Sequence, residues 1–315
     1  MEEHNTQPAA PTSTLPAVGQ LLRESWEFTK GRLDLVGWYV LISLVPLVLV
    51  ALPVGLGVWA AASAPQLLWA AVVAGLVALL VMIWVMVVAS AGLFYAVAQE
   101  ERIRFIEGWR WARPRFWQIA WIGVLLMLVL TTAFMALFLP AFIIMVYTMF
   151  YFLSFLRHDH RGLNALAAST NVVYGRFWGV LGRLAFMMLI IIVVSLAITV
   201  IFEILAGIIP VAENALVATG ELINTVVSFV LTIVMMRYLV LLYTAADATT
   251  PAYQAEPLST SYKLYRVLAW VGGVVFVAMS LGGAVLLGTW ASEGFALPAD
   301  EAELEQWFEE LEDAG

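Results

Sequence analysis

Few residues in this chain could do chemistry. Its three histidines are His4, His158 and His160, and it has no cysteine. His158-Asp159-His160 is the one metal-like cluster. Two imidazoles two residues apart share a metal on an extended loop, but no third strong ligand is near in sequence. A solvated polar turn is the simpler reading, and no metal ligand is assigned. The lack of cysteine excludes disulfides, thiolate nucleophiles and thiolate metal sites. The GxSxG, HExxH and GxxxxGKS/T patterns do not occur, which removes the common hydrolase and nucleotide signatures. No catalytic, cofactor-binding or metal residue is therefore expected, and no cofactor.

Ionisable groups inside apolar stretches are the remaining candidates, because a charge in hydrocarbon either serves a function or reaches back to the interface. Glu203, Glu221 and Asn224 could line a polar path. Their closeness to the ends of their stretches fits snorkelling equally. Arg237 lies 16 residues after Glu221, about 24 Å along a helix, so the two cannot pair within it.

The elements that carry these residues are set by composition. Of 315 residues 63% are hydrophobic and 12% charged, against about 45–50% and about 25% in ordinary globular proteins. A water-soluble fold of this size could not hide so much apolar side chain. The expected class is an all-α integral membrane protein of about seven transmembrane helices, with amphipathic helices on the inner leaflet. The formal charge of −8 is misleading. Nine acidic and no basic residues lie in 293–315, leaving fifteen basic against fourteen acidic residues over 1–292.

Asp34 and Glu100 enclose 65 uncharged residues, and Arg115 and Arg157 enclose 41. A span needs about 20 apolar residues, so each stretch is divided, at ASAPQ (63–67) and at Leu139-Pro140. The expected spans are 36–60, 67–97, 118–137, 141–156, 184–206, 222–244 and 267–291. They form a membrane domain over 17–292. Before it lies a proline-rich, disordered segment, 1–16, with no signal-peptide core, so the first span is expected to direct insertion. All fifteen Lys and Arg fall on one side of this topology. The N-terminus is accordingly cytoplasmic and the C-terminus outside, in a cell-membrane protein.

Trp26, Trp109, Trp111, Trp117 and Trp178 gather with the inner arginines, and Trp59, Trp69 and Trp290 mark the outer side. An aromatic belt explains both groups, so the bilayer, not nucleic acid, is the expected partner. Gly92 with Ala96, Ala278 with Gly282 and Ala284 with Gly288 are spaced for close helix packing.

Three inner segments look alike: Ser25-Trp26…Gly31-Arg32, Gly108-Trp109…Pro114-Arg115-Phe116-Trp117 and Ser169-Thr170…Gly175-Arg176-Phe177-Trp178, with a fainter copy at Ser259…Tyr265-Arg266. Each is read as an amphipathic inner-leaflet helix, broken by Gly or Pro, with Arg in the headgroups before the chain enters the bilayer. Arg32, Arg115, Arg176, Trp117 and Trp178 are the expected interface anchors. The pattern arises either from duplication or from common interfacial selection.

The stretch LNALAASTNVVYGRFWGVLGRL (163–184), with RESWEF (23–28) and Leu139-Pro140 followed by AFII, resembles the integral-membrane domain family associated with glycerophosphoryl diester phosphodiesterases. Ala141 stands where that family often has glycine. The resemblance covers about 18–246; the seventh span and acidic tail look like additions. It implies a membrane domain without activity, because hydrolysis in such relatives belongs to a separate barrel of about 250 residues, for which this chain has no room. The chain is therefore not expected to be an enzyme.

The tail 293–315 places Leu304, Trp307, Phe308 and Leu311 on one face of an acidic amphipathic helix. Anionic lipid would repel it, so it docks on the protein's own outer loops or on a protein partner. The function expected is a non-enzymatic membrane-organising or partner-binding scaffold, near lipid or glycerophosphodiester metabolism by resemblance alone. The alternative is a small-solute or lipid transporter using Glu203, Glu221 and Asn224.

Overall fold

The computed structural model describes residues 15–63, 68–208, 213–250 and 259–292. The tail with Leu304, Trp307, Phe308 and Leu311, and most of the N-terminal segment, lie outside the described residues. Among those described, regular structure is entirely helical: α1 (Val18–Lys30), α2 (Leu33–Ser63), α3 (Leu68–Ala98), α4 (Phe105–Ala112), α5 (Phe116–Ala136), α6 (Phe138–Thr148), α7 (Tyr151–His158), α8 (Leu163–Val173), α9 (Phe177–Ile208), α10 (Glu213–Ala248) and α11 (Ser259–Ser292). A 3-10 turn, Arg113–Arg115, joins α4 to α5.

Seven stretches are long and apolar enough to cross a membrane; six of the expected spans fall within theirs apart from a residue or two at the ends, while the seventh, 267–291, runs five residues past its stretch, which ends at Leu286. The chain is an all-α multi-pass membrane protein. The sixth stretch, despite Glu221, Asn224 and Arg237, is the unbroken 36-residue α10. The division at Leu139-Pro140 also stands: Leu137 is extended, and Pro140 sits in the first turn of α6, where its missing N–H costs nothing.

The fourth span, expected to be continuous, is interrupted at Met149 and Phe150 between α6 and α7. The cause lies on another helix. Ser169 of α8 donates its hydroxyl to the Tyr147 carbonyl at 2.7 Å, and its oxygen accepts the Phe150 N–H at 3.0 Å. A side chain inserted into the hydrogen-bond ladder bends a helix there. The exchange leaves both buried backbone groups satisfied.

The three look-alike segments are two surface helices and one interior helix. In α1 only Leu21, Ser25 and Thr29, spaced four apart, are buried, and in α4 Phe105, Gly108 and Ala112. These are narrow inward stripes of amphipathic helices. α8 is different: every residue from Ala165 to Val173 is buried. Its small residues let α5, α6, α7, α10 and α11 pack around it, so it is an interior helix with no exposed amphipathic face. The fourth copy is simply the start of continuous α11.

A threefold repetition nonetheless runs through the architecture. Each unit is a short helix followed by a hairpin: α1 with α2–α3, α4 with α5–α6–α7, α8 with α9–α10. The closing limb of each hairpin packs on the next unit's short helix, α3 on α4 and α6–α7 on α8, and α10 returns to α1. The ring closes on itself.

The buried core lies toward the ends of the helices where α1, α4 and α8 sit, from Val88 to Ala98 on α3, Ile233 to Ala246 on α10 and Phe150 to Phe155. Away from that end the hairpins carry exposed leucines and valines, such as Leu47 at 66% and Leu80 at 68%. Side chains of that kind are stable only against hydrocarbon.

Candidate functional site

The arginines expected to anchor the inner interface behave in two ways. Arg32 is 5% exposed; it bonds the carboxylate of Asp34 and donates to the Ile103 carbonyl. Arg102 donates back to the Gly31 carbonyl, so the two strands of the first unit are tied reciprocally. Arg176 does the equivalent in the third unit, donating to Ala246 and Thr249 at the end of α10. Burial pushes its guanidinium pKa down from the usual value. Arg32 thus holds the link before α4, and Arg176 the carbonyls at the end of α10.

Arg115 remains at the surface, donating to the Trp111 carbonyl at 3.0 Å and stacking over its ring. Trp117 and Trp178 are each 80% exposed, in the outward position an interface anchor needs. Two further arginines work as Arg32 does, and sequence reasoning gave neither that role. Arg183 donates to the carbonyls of Leu15 and Pro16 before α1. Arg237 donates to the Val97 carbonyl at the end of α3 and lies over the Phe28 ring, joining α10, α3 and α1.

The polar-path residues sit on the outer part of the α9–α10 hairpin. Gly220 meets Phe202 closely enough that an added Cβ would stand 2.6 Å from the ring's own Cβ. Glu203 and Glu221, one residue beyond each, are thereby held at similar depth. Both are exposed. Asn224 is half-buried, and its Oδ1 has no hydrogen-bond partner. The three residues share the α9–α10 hairpin.

The interior polar groups around α8 are largely engaged. Thr170 and the Tyr265 hydroxyl of α11 lie 2.6 Å apart, and Ser169 serves the α6–α7 interruption. Thr148 bonds its own helix, and the Tyr238 hydroxyl donates to the Arg183 carbonyl.

The histidine cluster lies at the turn after α7. His158 Nε2 is 3.0 Å from an Asp247 carboxylate oxygen, Arg161 bonds Asp159 at 2.6 Å, and the two imidazole rings are 5.7 Å apart. Burial, and then the neighbouring His158, pull the His160 pKa below 6.5, against the opposing pull of Asp247 and Asp159. Among the described residues no group of three or more His, Cys, Asp or Glu could hold a metal ion.

A groove of about 940 Å³ runs between α5, α11 and this same turn. Asp159 and Gly162, both with positive φ, fold the turn across α5 so that Gly162 approaches Trp121 and Leu125. The groove floor is apolar, formed by Leu125, Leu128, Ala269, Gly273 and Val277, and Arg161 and Arg266 stand at its end. Sequence reasoning missed this site, since it needs the α5–α11 crossing. That crossing is tight because Gly272 lies against the Leu128 carbonyl and Thr132 donates to Leu268 O at 2.7 Å.

No family model, curated protein or solved structure matches the chain. Its function must be argued from the geometry.

Proposed function

We propose that this protein is a non-enzymatic membrane scaffold, which organises the bilayer around it or docks partner helices. The observation carrying this reading is the distribution of polarity. Interior polar groups are largely bonded to the chain itself, while the outer parts of the hairpins present broad apolar faces. Such faces take lipid or another protein's helices. The alternative is a transporter using Glu203, Glu221 and Asn224, of which both glutamates are exposed and Asn224 is half-buried. The resemblance of 163–184 to the phosphodiesterase-associated membrane domain is what suggests a setting near lipid metabolism, as an association of fold and not of chemistry.

The test is reconstitution of the purified chain into vesicles. We expect neither hydrolysis nor uptake of glycerophosphodiesters, and a stoichiometric protein or selected lipid recovered when it is cross-linked in native membranes. Turnover or saturable uptake would overturn the reading. The proposed orientation, N-terminus cytoplasmic in the cell membrane, is tested with cysteines placed singly in this cysteine-free chain. A cysteine at Ala215 should react with an impermeant reagent on intact cells, and one at Glu101 only after permeabilisation. The reverse pattern would invert the topology.

A further inference from the structure

The α5–α11 groove combines features that a packing defect would not need. Its lining is almost wholly apolar over the stretch of α11 from Arg266 to Leu281. Fifteen residues of helix span about 22 Å, more than the ~15 Å of hydrocarbon in one leaflet. Both cations lie at one end, beside Asn164 and Tyr262. Arg266 makes no hydrogen bond or ion pair among the described residues. Arg161 spends one nitrogen on Asp159, and a guanidinium has five N–H donors.

We propose that this groove binds one anionic glycerophospholipid from the inner leaflet. Its phosphate sits between Arg161 and Arg266, and an acyl chain lies along Leu125, Leu128, Gly273 and Val277. The charge arrangement decides the occupant. A partner helix would answer the two arginines only with a carboxylate set at that depth, a zwitterionic lipid would bring its own cation to compete with them, and an anionic lipid carries phosphate and acyl chain together. The glycines on α11 divide the work. Gly272 packs on α5, whereas a Cβ at Gly273 would meet nothing within 4 Å and so faces the open groove. The site goes beyond the scaffold reading and does not depend on it.

The test is native mass spectrometry of the full chain in detergent, titrated with phosphatidylglycerol, phosphatidylcholine or inorganic phosphate. We expect one phosphatidylglycerol retained in preference to phosphatidylcholine, with inorganic phosphate alone leaving no adduct. Arg161→Gln with Arg266→Gln should weaken that retention about tenfold or more, as loss of two charge-assisted contacts implies. Arg104→Gln with Arg110→Gln removes equal charge from exposed inner positions outside the groove and should leave retention unchanged. Gly273→Leu should displace the lipid while the thermal transition stays within a few degrees of wild type. Equal binding of both lipids, or equal losses from the two arginine pairs, would reduce the site to annular lipid and overturn the proposal. Retention by Gly273→Leu would overturn the acyl placement.

Discussion

Ser169 and Tyr147 lie 22 residues apart in the chain, yet the hydroxyl of one stands 2.7 Å from the carbonyl of the other, across the interruption of the fourth span. Because the same oxygen takes the Phe150 N–H, Ser169→Ala strips partners from two buried backbone groups at once. A loss of about 1–3 kcal/mol is expected, read as a lower thermal transition in detergent. Thr199→Ala, which removes an exposed within-helix bond, should be nearly silent. Equal effects would show that the interruption does not need the serine.

Gly92 and Gly108 set the approach of α3 to α4. A Cβ on Gly92 would stand 2.8 Å from both the Gly108 carbonyl carbon and the Trp109 nitrogen, and backbone there cannot turn aside. Gly92→Ala should cost about 1–3 kcal/mol through forced separation of the helices. Gly123→Ala and Gly282→Ala, whose added carbons meet nothing, should be neutral or slightly stabilising. A scan that ranked all three alike would remove the close crossing from the account.

Arg32→Gln should be costly on its own. It frees the Ile103 carbonyl and the Asp34 carboxylate in a position only 5% exposed, for which charge-assisted bonds suggest about 1.5–3 kcal/mol. Arg115→Gln, a surface stack on Trp111, should cost less than half as much. Denaturation in mixed micelles measures both, and equal costs would return Arg32 to a headgroup role.

His160 gives a pH dependence whose sign follows from its lowered pKa. The unfolded chain takes up the proton first as pH falls. Stability tied to this group is therefore complete above about pH 6.5 and declines below it until the folded pKa is passed. Imidazole signals from a chain with only three histidines can be followed directly by NMR. His160 should titrate below 6.5, and His160→Gln should remove part of the acid-side loss. A His160 titrating above 6.5 would contradict the local burial.

Much of the fold was legible because hydrocarbon is a strict solvent. The uncharged runs 35–99 and 116–156 could only be pairs of spans, and Pro140 marked a real helix start. The break at Phe150 was invisible, since no Gly or Pro stands there and its cause is a serine on another helix. α8 was misread because LNALAASTNVV is too small and mixed to reveal burial on all sides; that depends on the five helices around it. The inner arginines were legible as a charge pattern, whereas their partners, carbonyls about 70 residues away for Arg32 and Arg176, were not. The groove likewise exists only once Gly272 has drawn α11 against α5.

Closure of the ring through α1 and α10 has a consequence in time. α1 is synthesised before α10, its packing partner, which ends at Ala248, and at about 5–20 residues per second the ribosome needs roughly 10–45 s to deliver it. Through that interval the inward stripe of Leu21, Ser25 and Thr29 is uncovered, and Arg183, whose bonds hold Leu15 and Pro16, has yet to arrive. An amphipathic helix can wait on the membrane surface. α1 is thus made well before it can be locked, and a chain cut short before α10 would leave it waiting.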